Sequence, residues 1–375
     1  MSSLVVLQRQ VSQLDEQVYA RLHTLDPGCC EVIYWNDYGL SRMMPDPELG
    51  VVPDLNEEEA PVYPCRWMDS RREGLEAVRA ALIALRPRLV ILSDIPQGQR
   101  LWLSLMLRKR GIEVALRSDK NTISATARSG LALSFEQQVV RFGYGVMAPV
   151  SPLTANYYGW AESRKSVLFP YTTNERKFRK DRATREARRR AIRRQLGIPL
   201  EDHVFLSATK FVDRERPSDL VDCFAAVTGG NPNTHLIALG AGPLLEPLKA
   251  RCAGQQLTHI HFLGFIPFRQ LQDYFFAADT FLHLAAVGPW EVSPQDALIA
   301  GLSLITSDTV GSGRVFLTDR LARFLVPHGN NAAAIARMTE LSARPDAGRQ
   351  FEPAAQSASA YTVEASAGRL LEFMA

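Results

Sequence analysis

Two carboxylates, Glu291 and Asp296, stand five residues apart at the head of an otherwise apolar run, "GPWEVSPQDALIAGLSLITSD" (288–308). A helix packed among Ala, Leu and Ile has no need of acids there. A site for a hydroxylated ligand does, because an ionised carboxylate accepts hydrogen bonds from hydroxyls, and the head of a helix favours negative charge. Cations gather elsewhere. "SATKFVDRERPSDL" (207–220) reads as a strand running into Lys210, Arg214 and Arg216 before Pro217 opens a helix. At the carboxyl end of a strand these suit a diphosphate, although an ordinary charged loop has the same composition. "ALGAGPLLEPL" (238–248) reads as strand, turn and helix, with Gly240, Gly242 and Pro243 in the turn. Such a turn brings an anion close to the free N–H groups of a helix start. It is not the full dinucleotide fingerprint, since Leu245 stands where the third glycine belongs. "FLGFIP" (262–267) puts Ile266 after a strand and glycine turn, an edge suited to a flat base or to plain core.

Strands and helices in alternation must position these groups. In the first half "CCEVIYW" (29–35), "RLVILSD" (88–94), "EVALRSD" (113–119), "VMAPVS" (146–151) and "SVLFPY" (166–171) read as strands. The stretches 72–87 and 100–111 between them have helical spacing and stop at Pro87 and Gly111. In the second half the strand-like runs are 203–211, 234–242, 259–265, 279–287 and 303–309. Alternation of this kind predicts parallel sheets with right-handed crossovers, and ligands at the carboxyl ends of strands. Asp37, Asp94, Arg117 and Asp119 lie at such ends in the first half and are candidate ligand contacts, though a turn-capping Asp reads the same way. His259 and His261 alternate on one strand and His283 lies in another; lacking a third donor they are expected in core or edge positions rather than on a metal.

From about Pro149 to Gly311 the chain resembles the family 4 glycosyltransferases. "SPLTANYYGWAESRKSVLFPYTTNERKF" is similar to that family's interdomain passage, and "ALGAGP" to its L-x-G-x-G-P turn. "FLGFIPFRQLQDYFFAADTFLH" resembles its F-L-G…L…Y…A-D unit, and "PWEVSPQDALIAGLSLITSD" its P-W-G-x-x-x-x-E-A-x-A-x-G-x-P-V-I segment. The resemblance implies an α/β GT-B fold: two Rossmann-like domains with parallel sheets facing a central cleft. An acceptor domain would span 1–170 and a nucleotide-sugar domain 171–355, with a helix in 356–375 crossing back to the first. It implies retaining transfer from a nucleotide-sugar to an acceptor hydroxyl, with a donor phosphate oxygen taking the acceptor proton, and neither metal nor cofactor. Lys210, Arg216 and Glu291 would then be catalytic, Gly240, Gly242, Pro243, Ile266, Val292, Ser293 and Asp296 would hold the donor, and Asp37, Asp94, Arg117 and Asp119 would contact the acceptor.

The chain departs from that pattern in three places. The family's two glutamates, eight residues apart, fall on Gly288 and Asp296, while Glu291 stands where glycine is usual. Its Arg-x4-Lys pair falls on Lys210 and Glu215, which reverses one charge; Arg214 or Arg216 could restore it. The first half lacks the family's Gly-rich loop and strand-end His, and offers Ser93 and Asp94. A pseudo-glycosyltransferase that keeps the fold and binds without turnover is therefore the alternative.

Length and composition fit these expectations. The chain has 375 residues, 46% apolar and 22% charged, with a net charge of +3, which suits a two-domain globular protein. The five cysteines form no C-x-x-C pair, so a reducing, cytoplasmic setting is expected. "MSSLVVLQRQ" has too short an apolar core for a signal peptide. Residues 176–194 hold eleven Lys or Arg against Asp181 and Glu186. Such a run suits the inner face of a membrane better than nucleic acid, with salt-dependent binding in either case. The preferred reading is a solvated linker and helix whose Ala191, Ile192 and Leu196 pack inward.

Overall fold

The computed structural model describes residues 3–35, 48, 61–68, 73–125, 130–160, 165–344 and 347–375. The chain divides into two compact units: residues Met1–Met44, Asn56–Thr173 and Tyr361–Ala375 in the first, and Pro45–Leu55 and Asn174–Ala360 in the second.

The first unit is built on strands β1 (Leu4–Gln8), β2 (Cys30–Tyr34), β3 (Cys65–Trp67), β4 (Leu89–Leu92), β5 (Glu113–Ser118) and β6 (Val146–Pro149). They form one parallel sheet in the order β3-β2-β1-β4-β5-β6. β1 and β4 are buried along their whole length, because helices cover both faces and strands with two covered faces need no polar alternation. Leu4 and Val6 join one core with the helices Glu16–Leu25 and Val363–Met374. Val5 and Leu7 join the other, with Gly74–Leu85, Gln97–Arg108 and Gly130–Gly143. The stretch 166–171 is not a strand: it contributes a single bridge from Ser166 to Met147.

The second unit repeats the plan with β7 (His203–Ala208), β8 (Thr234–Leu239), β9 (Ile260–Gly264), β10 (Thr280–His283), β11 (Ser303–Ser307) and β12 (Leu325–Val326). The order is β12-β11-β10-β7-β8-β9, again all parallel. In both units the strand order reverses direction beside the first strand, between β1 and β4 and between β7 and β10. That is the switch point at which open α/β sheets bind ligands.

The basic segment folds as the helix Arg182–Leu196. Its inward face is ionic as well as aliphatic: Arg193 is buried, Ile192 and Leu196 are half-buried, and Ala191 is exposed. Arg193 donates to Asp279 at 2.8 Å and to the carbonyls of Ala277, Pro199, Leu200 and Asp202. Arg189 pairs with Asp279 and Arg188 with Asp273. A buried guanidinium is tolerated because its donors are satisfied.

Candidate active site

Beside the switch point of the second unit, the segment after β7 and the glycine turn after β8 are zipped together by backbone. Thr209 N donates to Leu239 O at 3.0 Å, Phe211 N to Ala241 O at 2.9 Å and Leu244 N to Phe211 O at 3.0 Å. Gly240 and Gly242 have φ of +133° and +148°. A Cβ on Gly240 would lie 1.8 Å from the Thr209 carbonyl oxygen, and one on Gly242 2.6 Å from that of Phe211. The glycines are therefore required by the chain's own 209–211 backbone, which they hold so that Lys210 projects beyond the strand ends. Pro243 is exposed at the turn's outer edge, and Ile266 is half-buried past the end of β9.

Lys210 and Arg214 converge on one carboxylate. Glu48, which packs with the second unit, accepts from Lys210 Nζ at 2.6 Å and from Arg214 Nη2 and Nε at 2.9 and 3.2 Å. Hydrogen bonds from Arg214 and then Lys210 hold its carboxyl down at about 2. The same bond, against the cost of burial, raises Arg214. Sequence reasoning missed Glu48, because nothing in its own loop signals a partner 162 residues away.

Glu215 does not face this cluster as an open negative charge. It is buried, accepts from Thr209 Oγ1 at 2.8 Å and pairs with Arg214. His283 Nε2 lies 3.7 Å from it, and burial lowers the His283 pKa, which keeps the ring neutral. Arg216 is not among the groups that bind Glu48. Arg216 takes a left-handed conformation (φ 52°) at the head of the helix Pro217–Gly230 and binds Asp219 of that helix. Arg214 shares the carboxylate with Lys210.

The acidic segment folds around two close approaches. Gly288 N donates to Thr309 O at 3.0 Å and Gly311 N to Gly288 O at 2.7 Å, and a Cβ on Gly311 would meet the Pro289 oxygen at 1.9 Å. Trp290 is buried edge-on to Phe316. The helix Val292–Ala300 starts at Val292 with Glu291 as its N-cap residue, and Gly301 in the left-handed region ends it. Val292 and Ser293, both half-buried, form its first positions. Asp296 is accordingly in the second turn and buried, not in the first turn as the sequence suggested. Glu291 lies over Gly288: a Cβ there would be 2.8 Å from Glu291 Cγ and 3.0 Å from Oε1. Its charge also acts on Arg214. Glu291 thus puts a carboxylate beside position 288.

In the first unit Asp94 (φ 49°) follows β4 and Asp119 follows β5, next-door strand ends. Asp119 accepts from Tyr171 Oη at 3.2 Å. Partial desolvation raises the Asp94 carboxyl, with Arg9 opposing and Asp119 adding to the shift. Arg117 is corrected to a core residue. It pairs twice with Asp15, at 2.8 and 2.6 Å, donates to Phe169 O and Pro170 O, and stacks 4.0 Å over the Phe169 ring. Four of its five N–H donors are so occupied, and the side chain is buried. Asp37 lies outside the described residues.

The second unit also holds a hollow of about 960 Å³, lined by Arg185, Arg189, His203, Asp279 and Ser303 among others. His203 and Ser303 open β7 and β11, so this hollow lies at the amino ends of the strands, away from the glycine turn. No group of His, Cys, Asp and Glu among the described residues is arranged to hold a metal ion.

The two parallel sheets define a GT-B architecture, and the second unit gathers Lys210, Arg214 and Glu291 at its strand ends. Residues 188–358, which contain the cluster, match the family profile "Glycosyl transferases group 1". A glycosyltransferase from Rickettsia africae superposes with a TM-score of 0.76 at 10% identity, covering 100% of this chain and 98% of that one. Anabaena HepE in complex with UDP gives 0.72 at 14% identity, over 99% of each chain. The alpha-monoglucosyldiacylglycerol synthase of Acholeplasma laidlawii is 26% identical over 140 residues, 37% of this chain and 35% of that protein. The chain thus matches only about a third of the length of this curated relative. Profile and fold support a GT-B glycosyltransferase.

Proposed function

We propose that this chain is a retaining, metal-independent glycosyltransferase that moves a sugar from a nucleotide-sugar to an acceptor hydroxyl of a glycan, a polysaccharide precursor or a small molecule. The observation that carries the reading is Glu291 lying over Gly288, within electrostatic reach of Arg214. A diphosphate enters by displacing Glu48, and the two cations then stabilise the charge that develops on it as the bond to the sugar breaks. Glu291 accepts from the sugar hydroxyls and Asp296 from the ribose, while Asp94 and Asp119 hold the acceptor. The acceptor proton passes to the departing phosphate oxygen on the face where the new bond forms. HepE's complex with UDP supports a nucleotide donor. Among the described residues no helix is long and apolar enough to cross a membrane, and a cytoplasmic setting belongs to this proposal.

The test is release of nucleoside diphosphate from a panel of nucleotide-sugars, with and without excess chelator. Release that survives chelation supports the reading, and loss restored by magnesium or manganese removes metal independence. A second reading, binding without turnover, is favoured by the neutralisation of both cations by Glu48 and Glu215. Tight nucleotide binding with every donor left intact would select it.

A further inference from the structure

The helix Gly130–Gly143 turns an apolar stripe outward. Leu131 is 86% exposed, and Phe135 and Phe142 are each 71% exposed, whereas the buried residues of this helix are Glu136, Val140 and Gly143. Spacings of four and seven place the three exposed side chains in one line along the helix. Scattered single apolar residues need no explanation, but a contiguous line of large ones marks an interaction surface. The neighbouring helix Gln97–Arg108 extends it. Its Leu105 is 41% exposed, and Arg108 Nη1, one turn further on, donates to the Phe142 carbonyl at 2.6 Å. Arg108, Lys109, Arg110 and Arg141 are exposed around this end. Residues 97–112 contain no acid, and the one acid of the outer helix, Glu136, is buried against Lys120 and Tyr157.

We infer that this face docks on an anionic phospholipid surface, with Leu131, Phe135 and Phe142 entering the boundary between headgroups and acyl chains. An apolar stripe bordered by cations is the pattern of helices that lie in that boundary, and each cation near an anionic leaflet adds to the attraction. A second copy of the chain fits less well, since face-to-face docking would set these cations against their own copies with no acid between them. The segment 176–194 is the poorer membrane contact, because Arg188, Arg189 and Arg193 are engaged with Asp273, Asp279 and carbonyls. The inference stands apart from the proposed activity.

Sedimentation of the full chain with vesicles tests it. Binding is expected to equal parts of phosphatidylcholine and phosphatidylglycerol, with little binding to phosphatidylcholine alone. Phe135→Ser with Phe142→Ser should weaken binding roughly tenfold or more, while Lys109→Glu with Arg110→Glu should remove the preference for the anionic vesicles. Neither pair should lower the melting temperature, because all four side chains are exposed. The inference is overturned if the wild-type chain ignores both vesicles, if the phenylalanine pair binds as well as wild type, or if light scattering shows a dimer that the same pair dissociates.

Discussion

Two carboxylates and two cations decide how the candidate site behaves. Glu48 occupies Lys210 and Arg214 together, so a diphosphate must compete with it. Glu48→Gln keeps the shape and removes the charge. It should tighten nucleoside diphosphate binding about tenfold, the equivalent of roughly 1.4 kcal/mol, which calorimetry reads directly. Unchanged affinity would separate Glu48 from the diphosphate position. Arg214→Ala should cost far more donor turnover than Arg216→Ala, because Arg216 is held by Asp219; the reverse ranking in steady-state rates would return the role to Arg216. At this scale the sequence was partly legible. The unusual acids at 291 and 296 and the cations at 210–216 mark the place, and spacing cannot show which arginine converges with Lys210. Nor can it show that Arg117 is consumed by Asp15, since that pair joins residues 102 positions apart.

The elements that bear the site are set by backbone contacts that leave no room for side chains. Gly240→Ala would drive a Cβ into the Thr209 carbonyl, and no nearby side chain can yield in its place. The substitution should cost roughly 3 kcal/mol or more in urea unfolding. Gly254→Ala, at a helix end with nothing within 4 Å, should be neutral or stabilising by up to about 1 kcal/mol. Equal effects of the two would show that the close approach at the turn is not what fixes it. Most strands could be read from apolar runs between turn residues. β1 could not: its apolar run, Leu4–Leu7, reads equally as strand or buried helix by periodicity, yet it lies at the centre of the first sheet. The stretch 166–171 fails the other way, having strand-like residues without a neighbour to pair along its length.

At the scale of the whole molecule, the second unit carries four imidazoles that the fold holds neutral. Burial lowers His203, His235 and His283, and takes His261 to about 4. In the unfolded chain these rings titrate near 6.5, so below that pH the unfolded state binds more protons and stability falls as the pH drops towards the folded values. Urea midpoints should therefore decrease between about pH 7 and about pH 4.5, and His261→Gln should shallow the decline; a flat profile would contradict the buried-neutral assignment. The account as a whole rests on Glu291 serving in place of a carboxylate at position 288. Its most direct test is nucleoside diphosphate release from the sugar donor by wild type and by Glu291→Gln, with nucleotide affinity measured alongside. The account predicts steady release by wild type and a fall in kcat of roughly a hundredfold or more in the variant, with the nucleotide Kd unchanged within about threefold. Full turnover by Glu291→Gln, or no donor consumed by wild type, would contradict it.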